Sequence, residues 1–262
     1  MTTIICVANQ KGGVGKTTTA VNLAYGASWH YGRKTLLIDL DAQGNVADSL
    51  GMEQGSDLYE WLINRKPLSK TQQRTSLQLL HVIRSDKTTA MLKMQLTGMS
   101  FREMVLAKAM EEVSQDIVII DCPPSIDILH TAALVAADYL IIPTRLDQFA
   151  IKGVTEVLQS LAAVRRGSTS KCELAGIVPT FFERRTNESH NQLINLAEAF
   201  GRYVWPIIPQ DVTCRECHRL GKTLWEITNK IPPALCGYEN DDGDLFGGYE
   251  QLLIKMFEIL ES

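Results

Sequence analysis

The chain has 262 residues, of which 45% are apolar and 21% are charged, and its formal net charge is −4. This length and composition are typical of a soluble globular protein with one large α/β domain. No apolar run approaches the roughly 20 residues that a helix needs to span a bilayer, which argues against a membrane-spanning helix. The net charge alone neither identifies nor excludes a nucleic-acid binder. The N-terminus lacks a basic stretch and the six cysteines are scattered, so we expect no signal peptide and a reducing, cytoplasmic location.

Short apolar runs alternate along the chain with stretches of helical periodicity. The predicted strands are residues 4–8, 35–40, 117–120, 139–142, 174–178 and 204–208. The predicted helices are residues 17–29, 101–113, 126–136 and 154–164. The less regular segment 58–102 is interpreted as helical excursions and one strand at 77–82. Apolar strands alternating with helices predict a doubly wound α/β fold, with a mostly parallel sheet flanked by helices and a single domain over residues 1–262.

A glycine-rich loop follows the first predicted strand and leads into the first predicted helix. Glycines let backbone N–H groups approach phosphate oxygens, and the helix N-terminus presents its positive end to the same anion. Lys16 can then reach the β- and γ-phosphates of a nucleotide, and the Thr17 hydroxyl can ligate Mg²⁺. The order strand, loop, helix favours this interpretation over a merely flexible turn. The predicted phosphate-binding loop has a deviant Walker A pattern and consists of Lys11, Gly12, Gly13, Val14, Gly15, Lys16, Thr17 and Thr18.

Acidic residues end the second and third predicted strands. Asp39 and Asp41 flank one residue, so both carboxylates point the same way along an extended backbone. They could cap the next helix, but beside a phosphate-binding loop we favour a role in binding metal or positioning water. Asp121 follows four apolar residues, which is a Walker B pattern, and a carboxylate there can hold the Mg²⁺ shell through water.

These motifs resemble those of the ParA/MinD family of deviant Walker ATPases, and within it the ParA (Soj-like) partitioning branch. The resemblance covers nearly the whole chain and is weak only in residues 51–102. It rests on KGGVGKTTTAVNLA at 11–24, LLIDLDAQGN at 36–45, DCPPSIDILHTAALVAADYLIIP at 121–143, FAIKGV at 149–154, GIVPTFFERRTNES at 176–189 and IIPQDV at 207–212.

The resemblance implies roles for single residues. Lys11 matches a signature lysine that reaches across a dimer interface to the partner's nucleotide. Asp41 matches an aspartate that positions the attacking water, and Asp39 and Asp121 match acids of the magnesium shell. Segments that contact the base in relatives supply the adenine candidates Thr180, Pro209 and Asp211.

The resemblance also implies a cycle. ATP and Mg²⁺ drive formation of a sandwich homodimer, the dimer binds DNA non-specifically on the nucleoid, and a ParB-like or other cargo-adaptor protein stimulates slow hydrolysis and release. The cargo, such as a plasmid or a chromosome, is not specified. The chain begins almost at its first strand, so it resembles the short form without an N-terminal helix-turn-helix domain.

Support for DNA binding from the residues themselves is partial. Residues 237–262 hold seven acids and one base, which leaves a charge of +2 on the rest of the chain. Non-specific DNA binding needs several phosphate contacts on one face. Ordinary solvated surface is the alternative, since acids are interspersed. The candidates are Arg184, Arg185, Arg202, Arg215, Arg219 and Lys222.

Two further interpretations stay open. The first is a positioning ATPase of the MinD type, held on a membrane or on a protein scaffold. Membrane binding would need an amphipathic C-terminal helix, but the polar residues within 249–262 are mainly acidic and would be repelled by anionic lipid. We expect a final helix packed on the sheet, and no membrane partner. An iron–sulfur relative would use Cys214 and Cys217, but such sites normally require four ligands.

Overall fold

A computed structural model describes residues 2–167, 170–228, 230–240 and 242–261. The strands are β1 (Thr3–Val7), β2 (Thr35–Asp39), β3 (Gln73–Arg74), β4 (Leu80–Ile83), β5 (Ile117–Asp121), β6 (Tyr139–Arg145), β7 (Glu173–Thr180), β8 (Tyr238–Glu239) and β9 (Leu245–Phe246). The α-helices are α1 (Lys16–Trp29), α2 (Asn45–Ser49), α3 (Asp57–Leu62), α4 (Leu68–Thr71), α5 (Thr88–Thr97), α6 (Val105–Ala109), α7 (Ile128–Ala136), α8 (Ala150–Gly167), α9 (Asn187–Phe200), α10 (Val212–Leu220), α11 (Pro233–Cys236) and α12 (Gly248–Leu260).

The main sheet has the strand order β3-β4-β2-β5-β1-β6-β7, and only the β3–β4 pair is antiparallel. β8 and β9 form a separate two-stranded antiparallel sheet. The predicted doubly wound, mostly parallel α/β fold is therefore confirmed. In register, Asp121 lies between Val7 on one neighbouring strand and Asp39 on the other. The loops that follow β1, β2 and β5 consequently leave the sheet at the same edge, where ligands of such sheets bind.

Both faces of the sheet are covered, because side chains alternate along each strand. On β1 and just after it, Cys6 and Ala8 pack into one apolar layer, which also receives residues of α3, α5, α7 and α8. Ile5 and Val7 pack into the opposite layer with residues of α1 and α12. No helix in the described part of the chain is long and apolar enough to cross a membrane.

The C-terminal helix α12 is part of the second layer. Its apolar residues Tyr249, Leu252, Leu253, Met256 and Phe257 are all buried, and the helix packs along α1. The expected final helix on the sheet is thus present, and its apolar face is covered by the protein itself.

The predicted strand at residues 204–208 is wrong. This segment runs beside β7 but forms only isolated parallel bridges, such as that between Ile177 and Val204. Pro206 and Pro209 have no N–H to donate, so a continuous ladder cannot form there.

The predicted helix at residues 101–113 is also wrong as a continuous element. Phe101 has a φ of 54°, in the left-handed region, and therefore cannot belong to a right-handed helix. The short helix α6 is flanked instead by the 3₁₀ turns Arg102–Met104 and Met110–Glu112. The segment predicted as 126–136 becomes helical only at Ile128, because Asp127 caps it.

Candidate nucleotide-binding site

The glycine-rich loop connects β1 to α1 with two residues in the left-handed region. Gly13 has a φ of 69° and Gly15 a φ of 87°, a conformation that strains any residue with a side chain. The loop folds around the buried Lys16, whose Nζ donates a hydrogen bond to the Lys11 carbonyl at 2.9 Å. Burial lowers the pKa of Lys16, while the negative charge of Asp121 opposes this. A desolvated ammonium in this position gains from an anion bound at the loop.

Thr17 and Asp121 join the loop to the end of β5. The Thr17 hydroxyl donates to Asp121 Oδ2 at 2.7 Å, and the carboxyl group is almost completely buried. Its other oxygen, Oδ1, has no hydrogen-bond partner among the described residues. Burial, together with the neighbouring Asp39, raises the pKa of Asp121 well above its usual value. A hydroxyl beside an unsatisfied carboxylate oxygen fits Mg²⁺, which takes oxygen ligands and commonly binds through one or two carboxylates plus substrate phosphates.

Asp39 and Asp41 have different environments. Asp39 is fully buried and accepts the backbone N–H groups of Asp41 at 2.9 Å and Val46 at 3.2 Å. Burial raises the pKa of Asp39 to about 7. Asp41 is half-buried, and its carboxylate accepts the Gln43 N–H at 3.1 Å. Asp39 therefore holds the turn into α2, while the Asp41 carboxylate keeps capacity for a further partner.

Lys11 contacts the segment that follows β6. Its ammonium forms an ion pair with Asp147 and lies 5.4 Å from the centre of the Phe149 ring. The Lys11 N–H donates to Asn9 Oδ1 at 3.0 Å, and the Asn9 side-chain NH₂ donates to the Pro143 carbonyl at 2.8 Å. The buried Asn9, which sequence reasoning missed, thereby fixes the start of the loop against β6.

A cavity of about 570 Å³ adjoins the loop. Thr180, Pro209 and Asp211 all line it, together with Gly15, Thr17 and Thr18 of the loop. The structure thus brings the three adenine candidates to the same space as the phosphate-binding loop. Sequence reasoning gave the other lining residues no role in nucleotide binding, although several of them fall within the motifs at 36–45, 176–189 and 207–212. These are Asn45, Ser49, Arg145, Phe181, Ile208, Gln210, Val212, Cys214, His218 and Tyr249.

Two of the adenine candidates also hold the walls of the cavity together. The Thr180 hydroxyl donates to the Val14 carbonyl at 3.0 Å, which ties β7 to the loop. The Asp211 carboxylate caps α10 by accepting the Thr213 N–H at 2.9 Å and also accepts the Ala234 N–H at 3.2 Å. The walls are therefore fixed by the protein's own hydrogen bonds.

The six basic DNA candidates are all exposed, but they do not form one group. Arg215, on α10, lines the same cavity, while Arg219 and Lys222 lie at the end of α10 and just beyond it. Arg184 and Arg185 belong to the loop after β7, where the Arg184 guanidinium donates to the Glu239 carbonyl at 3.0 Å.

Arg202 is offset from the other five. It lies in a 3₁₀ turn just before Val204, which pairs with Ile177 inside β7. Arg202 is therefore displaced from the carboxyl end of β7 towards its amino end. Sequence spacing could not reveal this separation, because it depends on how α9 returns the chain to the sheet.

The two cysteines of the iron–sulfur alternative lie on α10. Cys217 is buried in the apolar layer, whereas Cys214 lines the cavity. Burial raises the pKa of Cys214 to about 12 and that of Cys217 to about 11, so the thiolate forms that bind metal are disfavoured. The described residues hold no group of three or more His, Cys, Asp or Glu side chains placed to bind a metal ion.

Comparison with known proteins gives consistent matches. The sequence model of the AAA domain family matches residues 2–174. The chromosome partitioning protein ParA of Myxococcus xanthus is 35% identical over 235 residues, which are 87% of this chain and 83% of the relative.

Solved structures match as well. Cobyrinic acid a,c-diamide synthase from Mycobacterium smegmatis, with bound ATP analog and magnesium, has a TM-score of 0.74 at 30% identity, over 84% of this chain and 92% of that chain. Apo McdA from Cyanothece has a TM-score of 0.83 over 99% of this chain and 100% of that chain. At 22% identity, the second match shows the fold alone.

Proposed function

We propose that this chain, which belongs to the ParA branch of the ParA/MinD family of P-loop ATPases, is a DNA-partitioning ATPase. It dimerises on ATP, binds DNA non-specifically in the cytoplasm, and is released when a ParB-like or other cargo-adaptor protein stimulates hydrolysis. The observation that carries the enzymatic part is the contact of Thr17 with Asp121, whose second oxygen is buried without a described partner. That arrangement is costly unless a cation completes it.

Each residue of the site has a definite task in this proposal. Lys16 and the loop N–H groups bind the β- and γ-phosphates, and Thr17 and Asp121, with Asp39 behind them, hold Mg²⁺ directly or through water. The metal supplies positive charge that neutralises the phosphate oxygens. Asp41 orients the attacking water, because its carboxylate has remaining acceptor capacity while its backbone N–H is fixed by Asp39.

Lys11 acts in trans in the proposed dimer. Its ammonium neutralises charge that develops on the partner's γ-phosphoryl group. The ion pair with Asp147 must then open. This pair is partly exposed, and exposed pairs contribute only about 0–1 kcal/mol, so opening it costs little.

A membrane-bound variant of this function is less well supported. The apolar face of α12 is buried against the sheet and α1, so membrane binding would require the helix to leave the core. A positioning ATPase that binds a protein scaffold instead of DNA is the second candidate, favoured by the acidic balance of the chain.

The proposal is tested by co-sedimentation with DNA in ATP, ADP or no nucleotide, at two salt concentrations. We expect binding with ATP only, weaker binding at high salt, and none for Lys11→Ala. Lys70→Ala, which removes an exposed cation on α4, is the matched control and should behave as the unaltered protein. Absence of DNA binding in a chain with intact ATPase activity would favour the scaffold-binding function instead.

A further inference from the structure

Phe181 occupies a strained position at the edge of the nucleotide cavity. It follows β7 with a φ of 58°, a left-handed conformation that is unfavourable for a bulky residue. Its neighbours hold it there, since the Thr180 carbonyl accepts the Leu146 N–H at 3.2 Å and the Phe182 N–H donates to the Ile208 carbonyl at 3.1 Å. Strain that is maintained in this way is common where a side chain must face a ligand.

Arg145 lies against the Phe181 ring. It ends β6 directly opposite Thr180 in the parallel register, and its guanidinium carbon is 5.0 Å from the centre of the ring. Among the described residues, no carboxylate is within ion-pair distance of this guanidinium. Within the described part of the chain, this exposed cation therefore contacts the Phe181 ring and forms no ion pair.

The pair is adjacent to the phosphate-binding loop. A Cβ atom placed on Gly15 would lie 3.8 Å from Phe181 Cε2, and Phe181 and Arg145 both line the cavity of about 570 Å³. Pro209 and Gln210 line the same space. A nucleotide whose phosphates lie on the loop must place its nucleoside in the remainder of this cavity, and the volume is within the range of ligand pockets.

We propose that Phe181 and Arg145 form a stacking platform for the purine base of the bound nucleotide. Aromatic faces and guanidinium planes both stack on nucleobases, and the cation–π contact between the two keeps the platform assembled. The inference rests on nucleotide binding as proposed above, and it adds two base-contacting residues to the candidates Thr180, Pro209 and Asp211. It predicts that the pair affects the affinity for the nucleoside part of ATP and leaves the affinity for its phosphates unchanged.

The test compares ATP with inorganic tripolyphosphate, which has the phosphates but no base. Dissociation constants are measured by calorimetry for Phe181→Leu, Phe181→Tyr, Arg145→Gln and the Phe181→Leu/Arg145→Gln double variant. We expect Phe181→Leu and Arg145→Gln each to weaken ATP binding, by roughly 5- to 100-fold for the loss of one stacking contact. Tripolyphosphate binding should stay unchanged, Phe181→Tyr should retain ATP affinity, and the double variant should lose less than the product of the single losses.

Phe101→Leu is the matched control, because Phe101 is also an aromatic residue with a left-handed backbone but does not line the cavity. Unchanged ATP affinity in Phe181→Leu would overturn the inference. An equal loss for tripolyphosphate would overturn it too, since the residues would then act through the loop. A chain with unaltered sequence that binds neither ATP nor tripolyphosphate would instead refute the proposed function itself.

Discussion

The Lys11 ammonium is paired with the Asp147 carboxylate of its own chain, where β6 leads towards α8. Asp147 also accepts the Phe149 N–H at 2.9 Å and so helps to start the helix. The lysine expected to act on a partner's nucleotide is therefore held within the monomer. In the proposed function, the partner's nucleotide and Asp147 would compete for the same ammonium group.

Asp147→Asn should favour ATP-dependent dimerisation. Asparagine keeps an acceptor for the Phe149 N–H but removes the charge that holds Lys11. A partly exposed pair contributes about 0.2–1 kcal/mol and a symmetric dimer must open two of them, so the dimer dissociation constant should fall by roughly 2- to 30-fold. Sedimentation velocity with ATP measures the effect, and Glu156→Gln on α8 is the control. An unchanged or weaker dimer would show that this contact does not restrain Lys11.

Lys16→Ala should strongly reduce the affinity of the protein for ATP and ADP. The phosphates would lose a charged hydrogen bond inside a desolvated loop, which corresponds to a loss of about 10- to 100-fold or more in affinity. Calorimetry with ATP and ADP measures it, with Lys70→Ala as a control for the removal of an exposed lysine. Normal ATP affinity in Lys16→Ala would mean that the nucleotide does not bind at this loop.

Asp41→Asn should separate binding from hydrolysis. The side chain keeps its shape but loses the basicity needed to position and polarise water, so kcat should fall by about 10²- to 10⁴-fold. ATP affinity should change little, because the backbone N–H of residue 41 still donates to Asp39. Steady-state ATPase assays measure kcat, with Asp48→Asn on α2 as the control. Full activity in Asp41→Asn would show that Asp41 does not position the attacking water.

His130 should make the protein sensitive to acid. Its ring is completely buried, and neither ring nitrogen has a hydrogen-bond partner among the described residues. Burial lowers the pKa of His130 to about 4, against about 6.5 in an unfolded chain. Between about pH 6.5 and pH 4, His130 is protonated in the unfolded chain but stays neutral in the folded chain. The free energy of unfolding is therefore highest above pH 6.5 and falls by up to about 3 kcal/mol as the pH is lowered through this range.

Urea unfolding between pH 7.5 and 4.5 checks this prediction. His130→Leu should lose less free energy of unfolding on acidification than the unaltered chain, whereas His190→Leu, which replaces an exposed histidine, should not differ from it. Parallel pH profiles for His130→Leu and the unaltered chain would contradict the prediction.

The basic residues should not contribute equally to the proposed DNA binding. Arg219→Glu on α10 should weaken binding and reduce the slope of log affinity against log salt by about 1, as for one lost phosphate contact. Arg202→Glu makes the same charge change at the offset position and should have little effect. Salt-dependent binding curves with ATP compare the two variants, and equal losses would mean that the DNA-binding surface includes the turn after α9.

The fold class and the phosphate-binding loop could be predicted from the sequence because their signals are local. Fully apolar strands between amphipathic helices indicate a parallel sheet covered on both faces, whatever the order of the strands in that sheet. The glycines, Lys16 and Thr17 are consecutive, so their spacing alone specifies a loop that can surround phosphate. The order of the strands then brings Asp39 and Asp121 to the same edge, as expected of the carboxyl ends of a parallel sheet.

Only the tertiary structure decided which groups face each other across long sequence separations. Asp39 accepts hydrogen bonds from two backbone N–H groups. Arg215 lines the cavity beside the phosphate-binding loop, and Phe181 lies next to Gly15. Residues 204–208 had the composition of a strand, but their prolines left them beside β7 without a continuous ladder. A local pattern records what a segment can form by itself. Burial, hydrogen-bond satisfaction and charge pairing depend on neighbours that folding brings from elsewhere in the chain, and those neighbours set the chemistry of each group.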